Sequence, residues 1–467
     1  MPSPPAERAQ RSALVWFRRD LRLHDNPAWA SATQLASSVT PLFVLDDALL
    51  RTAGPHRLNM LVGHLRALDR QIEATTGGRL HILQGDATKV VPELARQFSS
   101  VHWNRDVTPY ATRRDTAVAG IVESAESAET ALHTSWGTLH HPPGSVLTGK
   151  GTLSKVFTPF YNVWRVTDVD PWPSAIGAGV SSDPGDTSLL NRLDSGSPAM
   201  AAGEEGALDR LTLWLDRVDR YGDRRDFPAV EGTSMLSADL RFGTVSPRRI
   251  SKVLGDASPG REGFVRQLSW RDWWAHTLLG FPRLATAAVR PEYDAIVWNN
   301  DQPEFDAWCA GQTGYPIVDA GMRQLNQTGW MHNRVRMIVG SFLVKDLLID
   351  WRWGERYFRK HLIDADVAQN AGNWQWVAGT GPDAAPYFRI FNPVSQSRKF
   401  DAEGAYLRRW VPELAELDDK TIHEPWTAAP LDLASAGVIL GDTYPGPIVD
   451  HSFARERTLA AYKTAKG

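Results

Sequence analysis

The first third of the chain alternates short apolar runs with stretches of helical periodicity. The apolar runs are residues 13–17, 39–45, 79–83 and 101–103, and the helical stretches are residues 58–75 and 90–97. Continuous apolar runs that end in charged or polar residues are typical of parallel strands buried on both faces. Strands that alternate with helices predict a doubly wound parallel-sheet α/β domain, which we place at residues 12–135.

Beyond this domain the pattern changes twice. Residues 136–170 are irregular, and residues 171–206 are rich in Pro, Gly, Ser and Ala, a composition typical of linkers. From Leu208 onwards the helical period dominates and strand signals nearly vanish. The predicted fold class is therefore α/β plus all-α, with an interdomain linker at residues 136–206 and a helical domain at residues 207–467.

Length and composition exclude several classes of protein. A chain of 467 residues exceeds what one hydrophobic core usually organises, which agrees with two domains. The single cysteine, Cys309, excludes a disulfide framework and all-cysteine zinc or iron–sulfur sites, and we expect no metal. No apolar run approaches ~20 residues, and residues 1–11 lack the apolar core of a secretory signal. We therefore expect a cytosolic protein without a membrane partner.

Charge and tryptophan content leave two functions open for the last third of the chain. A net charge of −3 argues against a nucleic-acid coat protein, although a DNA enzyme needs only a local basic surface. Cations in this region form either such a surface or helix faces paired with acids. They are Arg334, Arg336, Lys345, Arg352, Arg356, Arg359, Lys360, Arg389, Arg398, Lys399, Arg408 and Arg409. Twelve of the 19 tryptophans follow residue 260, where they fill a core or provide stacking platforms.

Long motifs carry a family resemblance. They are VWFRRDLRLHDNPAW (15–29), RYGDRRDFPAVEGTSMLSADLRFGTVSP (220–247), TGYPIVDAGMRQLNQTGWMHNRVRM (313–337), DLLIDWRWGERYF (346–358) and LIDADVAQNAGNWQWVAGTGPDAAPYFRIFNP (362–393). Over nearly the whole chain the sequence resembles the photolyase/cryptochrome family, and within it the class I enzymes that split cyclobutane pyrimidine dimers. The resemblance implies FAD in the helical domain, UV-damaged DNA as the partner, and a monomer without an obligate protein partner.

The same resemblance assigns residues to the flavin. Tyr221, Thr233, Ser234, Met235, Leu236 and Ser237 match the diphosphate-holding segment, Arg271 lines the pocket, Asp364 and Asp366 lie beside the isoalloxazine, and Arg336 pairs with Asp364. Two simpler explanations stay open. The hydroxyls of the 233–237 segment can cap a helix, and the Asp364–Arg336 pair can be a purely structural salt bridge.

Four further residues bear on the state of the flavin. Asn370 matches the position facing flavin N5, where photolyases carry asparagine and plant cryptochromes carry aspartate. A neutral amide can hydrogen-bond a protonated N5, which favours a reduced, repair-competent flavin. Trp374, Trp351 and Trp298 match the family's electron-transfer chain, which photoreduces the flavin. Core packing is the simpler explanation for any one of these tryptophans.

The lesion pocket is assigned in the same way. Trp270 and Trp376 match the indoles that sandwich the flipped lesion, Asn333, Arg334 and Met337 match pocket residues, and Arg225 and Gln396 match DNA-contacting positions. The (6-4) photolyases carry histidines where this chain has Asn333 and Met337, neither of which can donate the proton that (6-4) chemistry needs. Where cyclobutane-dimer enzymes usually carry a glutamate, this chain has Gln267, which predicts a lower quantum yield of repair. At this one site the chain resembles the (6-4) enzymes.

The segment WNRDVTPYATRRD (103–115) resembles the family members that carry an 8-hydroxy-5-deazaflavin antenna. Arg57 and Asp106 are the candidates for contact with the antenna, and the alternative is that they are ordinary surface charges. The alternative chromophore is 5,10-methenyltetrahydrofolate. The predicted function is light-driven repair of cyclobutane pyrimidine dimers, by electron transfer from reduced FAD to the flipped lesion. A blue-light sensor without repair activity is the alternative from another class, and a (6-4) photolyase is the alternative enzyme.

Overall fold

The computed structural model describes residues 11–124, 130–169, 181–182, 185–193 and 196–466. Residues 1–10 and part of the predicted linker (170–180, 183–184 and 194–195) lie outside the described residues. The strands are β1 (Ser12–Phe17), β2 (Ser38–Leu45), β3 (His81–Gln84), β4 (Ser100–Asn104), β5 (Ala131–Ser135) and β6 (Ser181–Ser182).

The α-helices of the described chain are α1 (Pro27–Leu35), α2 (Asp47–Leu50), α3 (Pro55–Thr76), α4 (Ala87–Ala95), α5 (Pro109–Ser124), α6 (Phe157–Trp164), α7 (Leu190–Leu193), α8 (Gly203–Leu215), α9 (Tyr221–Arg224), α10 (Ser237–Phe242), α11 (Pro247–Leu254), α12 (Pro259–Gly280), α13 (Gln302–Ala310), α14 (Pro316–Thr328), α15 (Asn333–Ser341), α16 (Trp351–His361), α17 (Val367–Ala378), α18 (Pro393–Phe400), α19 (Ala405–Trp410), α20 (Pro430–Ser435) and α21 (His451–Lys466). A π-helical turn, Phe342–Asp346, follows α15 directly.

The sheet is entirely parallel, with strand order β3-β2-β1-β4-β5 and the short β6 paired to β2. The predicted doubly wound α/β domain is therefore confirmed. The four strands predicted from apolar runs are β1 to β4, and β1 is buried along nearly its whole length because both its faces are covered. The pattern did not reveal β5, because that strand is partly exposed and carries no continuous apolar run.

Contacts within the chain divide it into two compact units. The first contains the residues up to Asp216 and Ser234–Pro282, and the second contains Arg217–Thr233 and the residues from Arg283 onwards. The long helix α12 therefore groups with the sheet. Apart from an isolated bridge between Leu440 and Tyr444, the described residues beyond 207 contain no β-pairing, which confirms the predicted helical C-terminal region.

The second unit is organised around one large core that contains Trp308, Trp351 and Trp374. Next to this core, buried Asp319 accepts hydrogen bonds from Thr313, from the backbone N–H of Gly314 and from the hydroxyl of Tyr444. Because a buried carboxylate is costly unless it is satisfied, these bonds fix the turn at the start of α14.

The cations proposed for a basic surface fall into three groups. Six pair with acids, namely Arg334, Arg336, Arg352, Arg359, Arg398 and Arg408. Five are exposed outside such pairs, namely Arg356, Lys360, Arg389, Lys399 and Arg409. The prediction is wrong for Lys345, which is fully buried on the π-helical turn and donates to the carbonyl of Ala378. No helix in the described ranges has the length and apolar character needed to cross a membrane.

Candidate functional site

In the first unit, helix α12 carries three of the predicted site residues, Gln267, Trp270 and Arg271. Buried Asp272 anchors this helix, since its carboxylate accepts from the backbone N–H groups of His140 at 3.1 Å and His141 at 2.9 Å. The indole of Trp164 donates to the same carboxylate at 2.9 Å. Three hydrogen bonds to one buried carboxylate hold the helix in a fixed rotation about its axis.

Arg271 and Gln267 are both held by backbone carbonyl groups. The guanidinium of Arg271 donates to Thr138 at 2.5 Å and to Leu240 at 3.0 Å. The amide nitrogen of Gln267 donates to the carbonyl of Gly263, one turn earlier in α12, at 3.2 Å. The carbonyl oxygen of the Gln267 amide is thus the atom on which this side chain can accept a bond from a substrate.

Trp270 stacks on a second ring of the first unit. Its ring centroid lies 3.5 Å from that of Phe157, with the planes 10° apart. Phe157 is only 1 % exposed and has the guanidinium of Arg266 at 5.5 Å on its ring, whereas Trp270 is half-buried. Aromatic stacking of this kind holds an indole in one orientation.

The segment that precedes helix α10 contains the residues predicted to hold a diphosphate. Met235 has a positive φ of 56°, and the hydroxyl of Ser234 accepts from the backbone N–H of Leu236 at 3.2 Å. Leu236 occupies the N-cap position of the helix, and its apolar side chain makes no cap bond. The hydroxyl of Ser234 instead reaches the backbone N–H of this N-cap residue. Ser237, the first residue of the helix, is exposed.

In the second unit, Asn370 lies on α17 and its orientation is set by Glu355. The Asn370 amide nitrogen donates to the Glu355 backbone carbonyl at 2.9 Å and to its Oε1 at 3.0 Å. Both side chains are buried, and burial raises the pKa of the Glu355 carboxyl above its usual range. This leaves Oδ1 of Asn370 as an acceptor. Sequence reasoning missed Glu355, whose place in the motif DWRWGERYF gave no sign of this contact.

The two acids assigned to the flavin lie just before α17. Arg336 binds Asp364 with two parallel hydrogen bonds of 3.1 and 2.9 Å, and its Nε donates to the carbonyl of Met331. Asp366 accepts from the backbone N–H of Gln369 and thereby caps the helix. The bidentate pair fixes the planes of both side chains, which a single bond would not do.

The three tryptophans of the predicted electron chain differ in burial. Trp374 and Trp351 belong to the same core, and Trp298 packs against that core while half-exposed. Trp374 packs on the edge of Phe358 at 5.1 Å and fills the space beside Gly354. Its buried indole nitrogen finds no hydrogen-bond acceptor among the described residues.

Asn333 and Met337 lie one turn apart at the start of α15, where the Asn333 amide nitrogen is 3.9 Å from the Met337 sulfur. His332 caps this helix by accepting from the backbone N–H of Arg334, and burial lowers the pKa of His332 to about 4. Arg334 donates to Asp226 at 2.8 Å. Sequence reasoning did not identify His332 or Asp226 as neighbours of these residues.

The remaining DNA-contacting candidates lie on separate elements of the second unit. Trp376 on α17 and Gln396 on α18 are half-buried. Arg225 is exposed, with its guanidinium 5.6 Å from the ring of Tyr221. Tyr221 is buried, which raises the pKa of its hydroxyl, whereas Thr233 is half-exposed.

The antenna candidates belong to different elements of the first unit. The guanidinium of Arg57, on α3, donates to the carbonyl of Thr52 at 2.6 Å and is buried. Asp106 follows β4 and binds Arg19, which follows β1, at 3.2 Å. Burial would raise the pKa of Asp106, but the Arg19 and Arg18 guanidiniums hold it below its usual range. Arg57 is buried, and the carboxylate of Asp106 is partly exposed within its ion pair. Within the described residues no cluster of three His, Cys, Asp or Glu side chains is suited to hold a metal ion.

Comparisons with known proteins agree with this organisation. Residues 13–175 match the model of DNA photolyase, and residues 264–464 match that of the FAD binding domain of DNA photolyase. A deoxyribodipyrimidine photo-lyase of Agrobacterium fabrum is 42% identical over 97% of this chain and 98% of its own length.

Two solved structures are similar along nearly the whole chain. A class III photolyase from Agrobacterium tumefaciens gives a TM-score of 0.90 at 40% identity and covers 99% of this chain and 100% of its own. A Synechocystis cryptochrome gives a TM-score of 0.88 at 29% identity and covers 97% of this chain and 99% of its own. The chain therefore belongs to the photolyase/cryptochrome family.

Proposed function

We propose that this chain repairs cyclobutane pyrimidine dimers in DNA under light, with FAD as its cofactor. The observation that carries the proposal is the fixed orientation of Asn370. Because both bonds from its amide nitrogen go to Glu355, the oxygen is the atom left for a ligand. A neutral acceptor suits a protonated flavin N5, as in the reduced cofactor, and adds no charge beside it.

The residues that would hold FAD fit its chemistry. The start of α10 and the hydroxyls of Ser234 and Ser237 suit a diphosphate, because backbone N–H groups at a helix start attract anions. Arg271, Asp364 and Asp366 would contact the ring system. Arg336 neutralises Asp364 through two hydrogen bonds, which lowers the cost of a carboxylate beside the ring. Reduced FAD, when bound and excited by light, supplies the electron that opens the cyclobutane ring and takes it back afterwards.

The chain's own residues would bind and orient the lesion. Trp270 and Trp376 each offer an indole face to a flipped base, and such stacking contributes about 1–3 kcal/mol per base. Unstacking a damaged pair costs a few kcal/mol, so these contacts offset much of it. The oxygen of the Gln267 amide accepts from the N–H edge of a pyrimidine. Arg225 and Gln396 would contact the strand, and we propose that the chain acts as a monomer.

The choice of a cyclobutane dimer over a (6-4) product rests on the absence of an available proton donor at the start of α15. Asn333 and Met337 contact each other, and neither titrates near neutral pH. His332 is buried and neutral, and its Nδ1 already accepts the cap bond from Arg334. A histidine in that state does not supply a proton to a lesion.

For the antenna we propose a deazaflavin at the carboxyl ends of β1 and β4. The strand order places the topological switch point between these two strands, where ligands of open α/β sheets bind. Asp106 and Arg19 follow the two strands and hold each other in place. Methenyltetrahydrofolate is the alternative, and the absorption spectrum of chromophores released from the protein distinguishes the two.

The test of the main proposal combines two measurements on the purified protein. An absorption spectrum is expected to show bound flavin, and illumination is expected to remove pyrimidine dimers from UV-irradiated duplex DNA. The variant Trp376→Ala is expected to keep its flavin and to lose affinity for the lesion. Bound flavin without light-dependent loss of dimers would reject repair in favour of a sensor, and loss of (6-4) products alone would reject the choice of lesion.

A further inference from the structure

An open surface cavity of about 440 Å³ lies between helices α13 and α16 of the second unit. It is lined by Gln302, Phe305, Trp353, Arg356, Tyr357 and Lys360. None of these six residues is among those assigned to flavin, lesion or antenna. The volume falls within the ~300–1,000 Å³ typical of small-molecule sites.

Aromatic rings form fixed walls of this cavity. Phe305 and Trp353 meet edge to face, with centroids 5.0 Å apart. The hydroxyl of Tyr357 donates to Oδ1 of Asn326 at 2.7 Å, and its ring stacks on His361 at 4.2 Å. Rings held in this way form a stacking surface before any ligand arrives, which reduces the entropy lost on binding.

The same cavity carries two exposed cations, Arg356 and Lys360, that form no direct ion pair with other described residues. They lie one turn apart on α16, and the charge of Arg356 acts on the nearby Glu355, where it opposes the effect of burial on the pKa of that carboxyl. Their neighbour Arg359 behaves differently, because it binds Glu355 at 3.4 Å. Trp353, Arg356, Tyr357 and Lys360 follow the i, i+3, i+4, i+7 spacing, which places rings and cations on one face of the helix.

We propose that this cavity binds a nucleotide, with the base on the aromatic walls and the phosphate at Arg356 and Lys360. Nucleobases stack on aromatic side chains with little dependence on sequence, and paired cations attract the phosphate. The amide of Gln302 is the polar group able to bond the edge of the base. A free nucleotide and an unpaired nucleotide of a DNA strand present this same combination of ring and phosphate.

The test uses the FAD-loaded protein in the dark, so that the flavin site is filled and no repair occurs. Calorimetry with AMP and with undamaged oligo(dT) measures binding at the cavity and separates the two sources of nucleotide. Trp353→Ala is expected to weaken binding about tenfold through loss of one stacking surface. The double variant Arg356→Gln/Lys360→Gln is expected to weaken it about tenfold through loss of the phosphate contacts. Lys463→Gln, an exposed lysine on α21, is the matched control.

Each outcome decides the proposal. If AMP binds and both cavity variants weaken its binding, the cavity is a site for free nucleotides. If only oligo(dT) binds and both variants weaken its binding, the cavity is a site for an unpaired DNA strand. Absence of binding by both probes, or binding that neither variant changes, overturns the proposal. If Trp353→Ala fails to fold, the double variant decides alone, because both of its side chains are exposed. Trp353→Ala is expected to leave dimer repair intact, because Trp353 is assigned neither to flavin nor to lesion nor to the basic surface. Failure of the nucleotide proposal is therefore independent of the proposed function.

Discussion

Phe157 and Trp270 stack face to face, with ring centroids 3.5 Å apart and planes 10° from parallel. Phe157 begins helix α6 and is almost completely buried, so its ring has little freedom to move. One face of Trp270 is therefore filled by the protein itself, and only the opposite face remains for a base. Phe157 thereby acts as a positioning residue for the indole predicted to stack on the lesion.

We expect Phe157→Leu to weaken binding of dimer-containing DNA by up to about tenfold, because the indole loses its stacked support. Affinity for undamaged DNA is expected to stay the same. Binding to both DNAs can be measured by fluorescence anisotropy in the dark. The double variant Phe157→Leu/Trp270→Ala should bind dimer-containing DNA no more weakly than Trp270→Ala alone. If the losses of the two single variants add up in the double variant, Phe157 does not act through Trp270.

Gln267→Glu is expected to raise the number of dimers repaired per absorbed photon. The Gln267 amide nitrogen now donates to the carbonyl of Gly263, a bond that an ionised carboxylate cannot make. The introduced carboxyl would turn away from that carbonyl, and in its protonated form it offers a hydrogen-bond donor to the pyrimidine edge. The quantum yield is measured by actinometry at saturating DNA, and a yield equal to or below that of the parent would contradict the prediction.

Gly354→Ala is expected to slow photoreduction of oxidised flavin and to lower stability. A Cβ added at Gly354 would lie 2.2 Å from the Trp374 ring, so the indole must move. Overpacking of this kind costs about 1–3 kcal/mol. Gly340→Ala is the matched control, since its Cβ would lie 3.6 Å from the same ring, an ordinary contact.

Photoreduction is followed by the loss of flavin absorbance under light with an external reductant. Repair by chemically reduced protein should be nearly unchanged in the Gly354 variant, because that assay does not use the tryptophan chain. Equal photoreduction rates in the two glycine variants would show that the position of Trp374 does not control electron supply.

Much of the fold follows from local sequence pattern, and much of the site does not. Strand β1 was predictable because a strand buried on both faces must be apolar throughout, whereas β5 is partly exposed and leaves no such signal. The amide of Asn370 is oriented by Glu355, and Trp270 by Phe157, and neither contact follows from helical spacing. Composition likewise cannot tell an exposed lysine from a buried one, as the error at Lys345 shows.

Among the described residues, the Nζ of Lys345 contacts only neutral groups. It donates to the carbonyl of Ala378 at 2.8 Å and to that of Tyr387 at 3.4 Å, and it lies 3.7 Å from the ring of Tyr462. The aromatic face favours a charged ammonium by about 2 kcal/mol when both groups are desolvated. Burying that charge without a carboxylate costs several kcal/mol. Burial therefore lowers the pKa of Lys345 well below its usual value.

A pH-dependent stability follows from this lowered pKa. In the unfolded chain Lys345 binds a proton below pH ~10.4, whereas the folded chain does not until the pH falls to its lowered pKa. Between the folded and the unfolded pKa of Lys345, unfolding takes up a proton. The free energy of unfolding therefore rises by up to about 1.4 kcal/mol per pH unit in this range and levels off above the unfolded pKa. Lys345→Met should remove this slope, which urea unfolding at several pH values between 7 and 10 measures. Lys420→Met, at an exposed lysine, should keep the slope of the parent. If the free energy of unfolding changes with pH in the same way in Lys345→Met and in the parent, Lys345 is charged in the folded protein and its pKa is not lowered.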